Sequence, residues 1–147
     1  MVNMTRRVRE WTPSAAAIRD WMGAALGRHA AGGEISVRVV GPGESRKLNA
    51  RYRRRNNATN VLSFPASAMP AVSPRPLGDL VICPRVLRTE AREQGKGLRA
   101  HWAHLVVHGA LHLIGYDHER AADARRMERR ETAVLRRLGF TNPYRID

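Results

Sequence analysis

The chain has 147 residues with 26 basic against 13 acidic side chains, a formal net charge of +13. That length fits one domain with a real core, burying about 70% of the unfolded surface. A single cysteine, Cys83, excludes an intramolecular disulfide and suits a reducing compartment, and no apolar run is long enough to span a bilayer. The charge calls for a polyanionic partner, a nucleic acid before a membrane. Only Lys47 and Lys96 are lysines, so an arginine-biased coding sequence accounts for part of the excess.

In chain order, Thr12-Pro13 reads as a helix start with proline at the first position, the helix running to about His29 before Gly32-Gly33. The preceding Arg6, Arg7 and Arg9, with Arg19 and an Ala-rich amphipathic stretch, resemble a transit peptide in part; Glu10, Asp20 and Pro13 argue against it, and a bacterial cytoplasmic location is expected. Glu34 to Val40 alternates as a strand, with Ile35, Val37 and Val39 on one face. Glu44 to Arg54 reads as a helix with Leu48 and Tyr52 as apolar contacts, which sets Arg51 and Arg55 on one flank. Val61 to Phe64 and Asp79 to Cys83 read as strands, while Pro65, Pro70, Pro74 and Pro76 mark a loop between them. Arg85 to Gln94 and Leu98 to Ile114 are helical, and a last helix runs from about Ala121 to Leu138, ended by Gly139. The sum is a single compact α+β domain over 1–147, with a small mixed sheet packed against helices.

Five of the six histidines fall between His101 and His118. His108 and His112 stand four apart, so both imidazoles lie on one face of the helix and can reach a single ion. The break at Gly115 lets the chain turn back, and His118 then supplies a third ligand. Both helical imidazoles sit in an otherwise apolar run, where unpaired polar groups would be costly to bury. Three neutral imidazoles with an open fourth position are the ligand set of a catalytic zinc; nickel, copper or iron can take similar donors. The protease motif HExxH needs a glutamate directly after its first histidine, and here that position is Gly109. Phosphodiester cleavage demands less of the protein, because a metal and cationic side chains carry the developing charge and RNA brings its own 2′-OH.

HGALHLIGYDH resembles the signature of the YbeY family, bacterial single-strand-specific endoribonucleases of ribosomal RNA maturation. LNARYRRRNNATNVLSFP (Leu48 to Pro65), LGDLVIC (Leu77 to Cys83), HWAHLVVHG (His101 to Gly109), MERRE and LGF…NPY resemble further family blocks, in the same order, over roughly residues 34 to 144. The resemblance implies 16S rRNA 3′-end maturation and ribosome quality control, with the small ribosomal subunit and its assembly proteins as partners. It also implies that Arg53, the arginine of LNxxYR, is functional.

The basic cluster of Arg46, Lys47, Arg51, Arg53, Arg54 and Arg55 is the better candidate for RNA phosphates, because guanidinium forks match phosphate geometry. The arginines between Arg120 and Arg137 are diluted by acids and read as a solvated helix face. Glu131 falls on the buried side of the last helix with Met127, Val134 and Leu135, so it needs a partner such as a ligand histidine. His104 and Asp117 are candidates to orient ligand imidazoles, Asp117 equally a turn aspartate. Cys83 reads as a core residue, as do Trp21 and Trp102. The expectation is a zinc-dependent endoribonuclease with one Zn2+ per chain on His108, His112 and His118, Arg53 and His108 serving catalysis and Arg51, Arg53, Arg54 and Arg55 contacting single-stranded RNA. A peptide or small-molecule metallohydrolase, and a non-catalytic ribosome-assembly factor with a structural metal, are the alternatives.

Overall fold

The computed structural model describes residues 2–66 and 75–144. The elements are β1 (Val2–Arg6), α1 (Ala15–Leu26), β2 (Gly33–Val39), α2 (Pro42–Arg53), β3 (Val61–Pro65), β4 (Arg75–Ile82), α3 (Pro84–Gln94), α4 (Leu98–Leu113) and α5 (Ala121–Arg137). The sheet order is β1-β2-β4-β3, with β1, β2 and β4 parallel and β3 antiparallel to β4.

Alternation along β2 puts Ile35, Val37 and Val39 into the main core, joined there by Leu80 and Ile82 of β4. Val81, one residue out of phase, faces the other way with Val40 and Leu62, under Leu48 and Phe64. α4 runs through the centre of the main core. It packs on β3, β4, α1, α3 and α5, and its buried residues include Trp102, Leu105, Val106, Ala110 and Leu111. A helix apolar around most of its circumference belongs in such a place.

Gly109 marks the closest approach of α4 to the sheet. A Cβ there would lie 2.9 Å from Leu80 Cδ2, and Ser63 Oγ of β3 donates to the Gly109 carbonyl at 3.3 Å. At the position that carries a glutamate in HExxH, any side chain would therefore require Leu80 to shift.

Several boundaries differ from the sequence reading. β1 forms an edge strand where none was expected, with Val2 and Met4 packing on the core, and the helix that follows buries Ile18, Trp21 and Met22. This N-terminal region is thus part of the packed domain. α1 starts at Ala15 because Ser14 Oγ accepts from Ala17 N at 3.1 Å, and it stops at Leu26, where Gly27 turns to φ +53° before a 3-10 turn over Gly27–Ala30. Pro65 and Pro76 lie in strands, not in a loop. Pro65 ends the edge strand β3, and Pro76 sits where the β2–β4 register shifts, both sites that tolerate a missing N–H; Pro70 and Pro74 lie outside the described residues. Trp21, Trp102, Met127 and Cys83 are core, as read. Among the described residues no helix is long and apolar enough to cross a membrane.

Substituting Gly109→Ala overpacks α4 against Leu80 and should cost about 1–3 kcal/mol. The measurement is urea unfolding, with a lower midpoint at unchanged slope.

Candidate metal centre and basic cleft

α4 carries His101, His104, His108 and His112 at spacings of three and four, so one stripe of the helix is a row of imidazoles, buried at His101 and half-buried beyond it. The helix ends just past His112. Gly115 adopts φ +101°, Gly115 N donates to His112 O and Tyr116 N to Leu111 O, each at 3.1 Å, and the chain doubles back. Asp117 Oδ1 then accepts from the backbone N–H groups of His118 and Glu119, at 2.7 and 3.3 Å. These are the hydrogen bonds of a turn aspartate, and Asp117 acts on His118 by fixing the backbone from which that imidazole projects.

The three imidazoles converge. His112 Nε2 lies 3.2 Å from His108 Nε2 and 3.0 Å from His118 Nδ1. Burial, followed by the neighbouring His108 and His118, pushes the pKa of His112 down to about 4, so its lone pair is free at neutral pH. A single His112 proton can serve only one of these two contacts. Donors on a tetrahedral zinc, bonded at about 2.0–2.1 Å, stand roughly 3.3 Å apart. The trio fits one such ion in both donor chemistry and spacing.

Glu131 of α5 is fully buried and supports this arrangement from behind. His108 Nδ1–H donates to Glu131 Oε1 at 2.7 Å, which leaves His108 Nε2 as the lone-pair nitrogen facing the other two rings. His104 Nε2–H donates to Oε2 at 2.9 Å, and the Tyr144 hydroxyl donates to the same oxygen. Burial alone would raise the carboxyl pKa, but the hydrogen bonds from His104, His108 and Tyr144 outweigh it and hold it down to about 2. His104, His108 and Glu131 also lie close enough together to be a ligand set, yet the two imidazole protons already occupy the carboxylate.

Opposite the histidines stands the end of α2. Arg53 is its last residue; its Nη2 donates to Ser63 O at 3.0 Å, and its guanidinium lies 5.8 Å from the centre of the Phe64 ring. Arg54 takes the left-handed conformation, φ +57°, and ends the helix. The expected shared flank of Arg51 and Arg55 is thereby broken: Arg51 stacks over Tyr52 at 5.3 Å, while Arg55 turns in beside Arg53. A cleft of about 560 Å³ is lined by Arg53, Arg55, Asn60, Ser63, His108, His112 and His118, among others. Arg51 and Arg54 are not among its lining residues.

The buried face of α2 explains how this wall is held. Ser45 Oγ donates to Thr59 O and accepts from Thr59 N, both at 2.9 Å, and Asn49 Nδ2 donates to Asn57 O at 2.9 Å. These bonds pin the 56–60 loop between the arginines and β3.

The sequence model of the family described as Endoribonuclease YbeY matches residues 4–139 of the chain. This chain belongs to the YbeY endoribonuclease family. Family membership gives it the class of an RNA-cleaving hydrolase. A protein of Alkalilimnicola ehrlichii named Endoribonuclease YbeY is 55% identical over 139 residues, 92% of this chain and 84% of that protein. Proteins of the same name from Halorhodospira halophila and Pseudomonas putida are each 50% identical, over 90% and 92% of this chain and 88% and 87% of their own. The solution structure of a Thermotoga maritima protein matches with a TM-score of 0.62 at 20% identity, covering 99% of this chain and 100% of that one, a likeness of fold.

The structure thus brings together His108, His112, His118, Arg53 and Arg55, with Glu131 and His104 behind them. Sequence reading did not place Ser63 and Tyr144 at the site. Tyr144 stands in the family-like NPY segment, but its reach to Glu131 is a tertiary fact that no periodicity encodes. Glu90 was missed as well; it joins His101 Nε2 at 3.0 Å to Asn60 Nδ2 at 3.1 Å. Replacing Glu131 by glutamine puts an amide donor against imidazole N–H groups. Thermal unfolding of the metal-free protein should show a loss of about 1–3 kcal/mol, with Tyr144→Phe at the lower end because one donor to Glu131 is removed and the charge remains.

Proposed function

We propose that this chain is a zinc-dependent, single-strand-specific endoribonuclease acting in ribosomal RNA processing, at 16S rRNA 3′-end maturation and in ribosome quality control. The observation that carries the reading is the placement of three convergent imidazoles and two guanidinium groups on one cleft. Family membership supports RNA as the substrate, and the +13 charge agrees with it. The finer substrate, the small ribosomal subunit and assembly proteins as partners, and a bacterial cytoplasmic location follow from the resemblance to the family.

His108, His112 and His118 would hold one zinc ion. When bound, such an ion supplies a Lewis acid and an activated water at its open fourth position. Glu131 keeps His108 in the tautomer that offers Nε2, and His104 and Tyr144 hold that carboxylate in place. Arg53 binds the scissile phosphate and stabilises the charge that develops on it. Its guanidinium is kept in register by the Ser63 carbonyl and the Phe64 ring. Arg55, lining the same cleft, takes a neighbouring phosphate. Gly109, packed against Leu80, stands where the carboxylate of peptide hydrolysis would be.

The test uses labelled single-stranded RNA resembling the 3′ end of small-subunit rRNA, with wild type, Arg53→Ala and Arg53→Lys purified in parallel and their zinc contents verified. Arg53→Ala should lose about 10²–10³-fold in rate, and Arg53→Lys should recover part of it, since an ammonium keeps the charge without the fork. Zinc-loaded wild type and Arg53→Ala behaving alike would remove Arg53 from the site. Wild type that binds RNA without cutting it would put the non-catalytic assembly-factor reading ahead.

A further inference from the structure

A second cleft, of about 720 Å³, opens at the other end of the histidine row. Its walls come from three places: the α3–α4 connection with Gln94 and Lys96, the first turns of α4 with Ala100, His101 and His104, and the C-terminal segment with Phe140, Asn142 and Tyr144. The Zn-type trio takes no part in it.

The two clefts share a wall. His104 lines the second cleft and donates to Glu131, and Glu131 accepts from His108, which lines the first. The His104 and His108 rings are 6.2 Å apart, centre to centre. A parallel link runs from Asn60 in the first cleft through Glu90 to His101 in the second. A strand lying across the metal trio and continuing along α4 reaches this space next.

The lining suits one nucleotide. Tyr144 is 42% exposed, one of three large apolar side chains so exposed among the described residues, and an exposed aromatic is a stacking surface for a base. Gln94 and Asn142 place amides on the same walls; the Asn142 oxygen already accepts from Tyr144 N at 2.9 Å, so its NH2 is the group that faces a ligand as donor. Lys96 stands at the mouth, the N-terminus of α4 beside it has no side-chain cap, and its first turn carries no acidic residue; both favour a phosphate. His101 is only 4% exposed, and its Nδ1, like that of His104, has no hydrogen-bond partner among the described residues. The wall is therefore not internally satisfied.

We propose that this cleft is a nucleotide subsite of the RNA track, holding a residue of the strand beyond the two that flank the scissile linkage, with the base against Tyr144 and the phosphate at Lys96. The assignment rests on the reading of the first cleft as the RNA-cleaving site. It makes strand length, sensed at the second cleft, a determinant of which RNAs are bound well.

The experiment measures fluorescence anisotropy of the zinc-loaded protein with labelled 2′-O-methyl RNA, which resists cleavage, in a length series from a dinucleotide upward. Wild type should show a step in affinity of about fivefold or more, the contribution of one stacked base, once the strand is long enough to enter the cleft. Ala100→Trp, which fills the cleft from α4, should abolish the step while leaving dinucleotide affinity unchanged, with circular dichroism confirming the fold. Lys96→Gln should lower the step and flatten its salt dependence. A step of the same size in Ala100→Trp, or no step in wild type, overturns the subsite. A normal step in a protein that does not cut unmodified RNA leaves the subsite standing and overturns the catalytic reading alone.

Discussion

A carboxylate with no exposure to solvent cannot stay ionised unless every approach to it is a donor. Glu131 meets that condition with two imidazoles and one phenol. Those donors come from the middle of α4 and from the segment after α5, so one buried charge ties three parts of the chain to one another. The same bonds determine which nitrogen of His108 is protonated and where Tyr144 rests. Moving the carboxylate would disturb both the trio on one side and the second cleft on the other. The geometry of the imidazole trio thus depends on an interaction inside the protein, behind the cleft.

α4 has two duties that ordinarily fall to separate elements. Most of its circumference is packed, with Trp102, Val106, Ala110 and Leu111 fully buried, so it cannot shift without repacking the core. Its remaining stripe is a row of histidines. Ligands on such a helix keep their relative positions because shifting any one of them means repacking the core. The third imidazole comes instead from a turn that is fixed by its own backbone hydrogen bonds. A rigid pair and a locally braced third member make a preformed site.

What could be read in the sequence follows from which features are periodic. The i, i+4 spacing of His108 and His112 and the phase of Glu131 against Met127, Val134 and Leu135 are helical facts, and the structure places these residues where the phase does. Arg55 could not be placed that way, because the helix ends at Arg53 and Arg54 takes a left-handed turn that no residue pattern announced. Ser45 and Asn49 face inward on a helix whose apolar residues are few, and their partners are backbone atoms of a loop. Strand β1 has only Val2 and Met4 as its alternating signal and lies at a sheet edge. Pro65 and Pro76 looked like loop markers; an edge and a register shift accommodated both. Recognising the family motifs singled out Arg53, which its local chemistry alone would have left among several equivalent arginines, and the structure places it on the cleft.

The β3 edge has a bearing on how this basic, sheet-containing protein behaves in crowded solution. Open edges invite other strands and are a common start of aggregation. Here the Val61 N–H is taken by the Asn60 side chain at 2.6 Å, the Ser63 carbonyl is occupied by Arg53, and Pro65 has no N–H to offer. An arriving strand finds no continuous ladder. The arginine that lines the cleft also occupies a carbonyl of the edge on which it leans, so replacing Arg53 would bare that edge as well as remove a cation from the cleft.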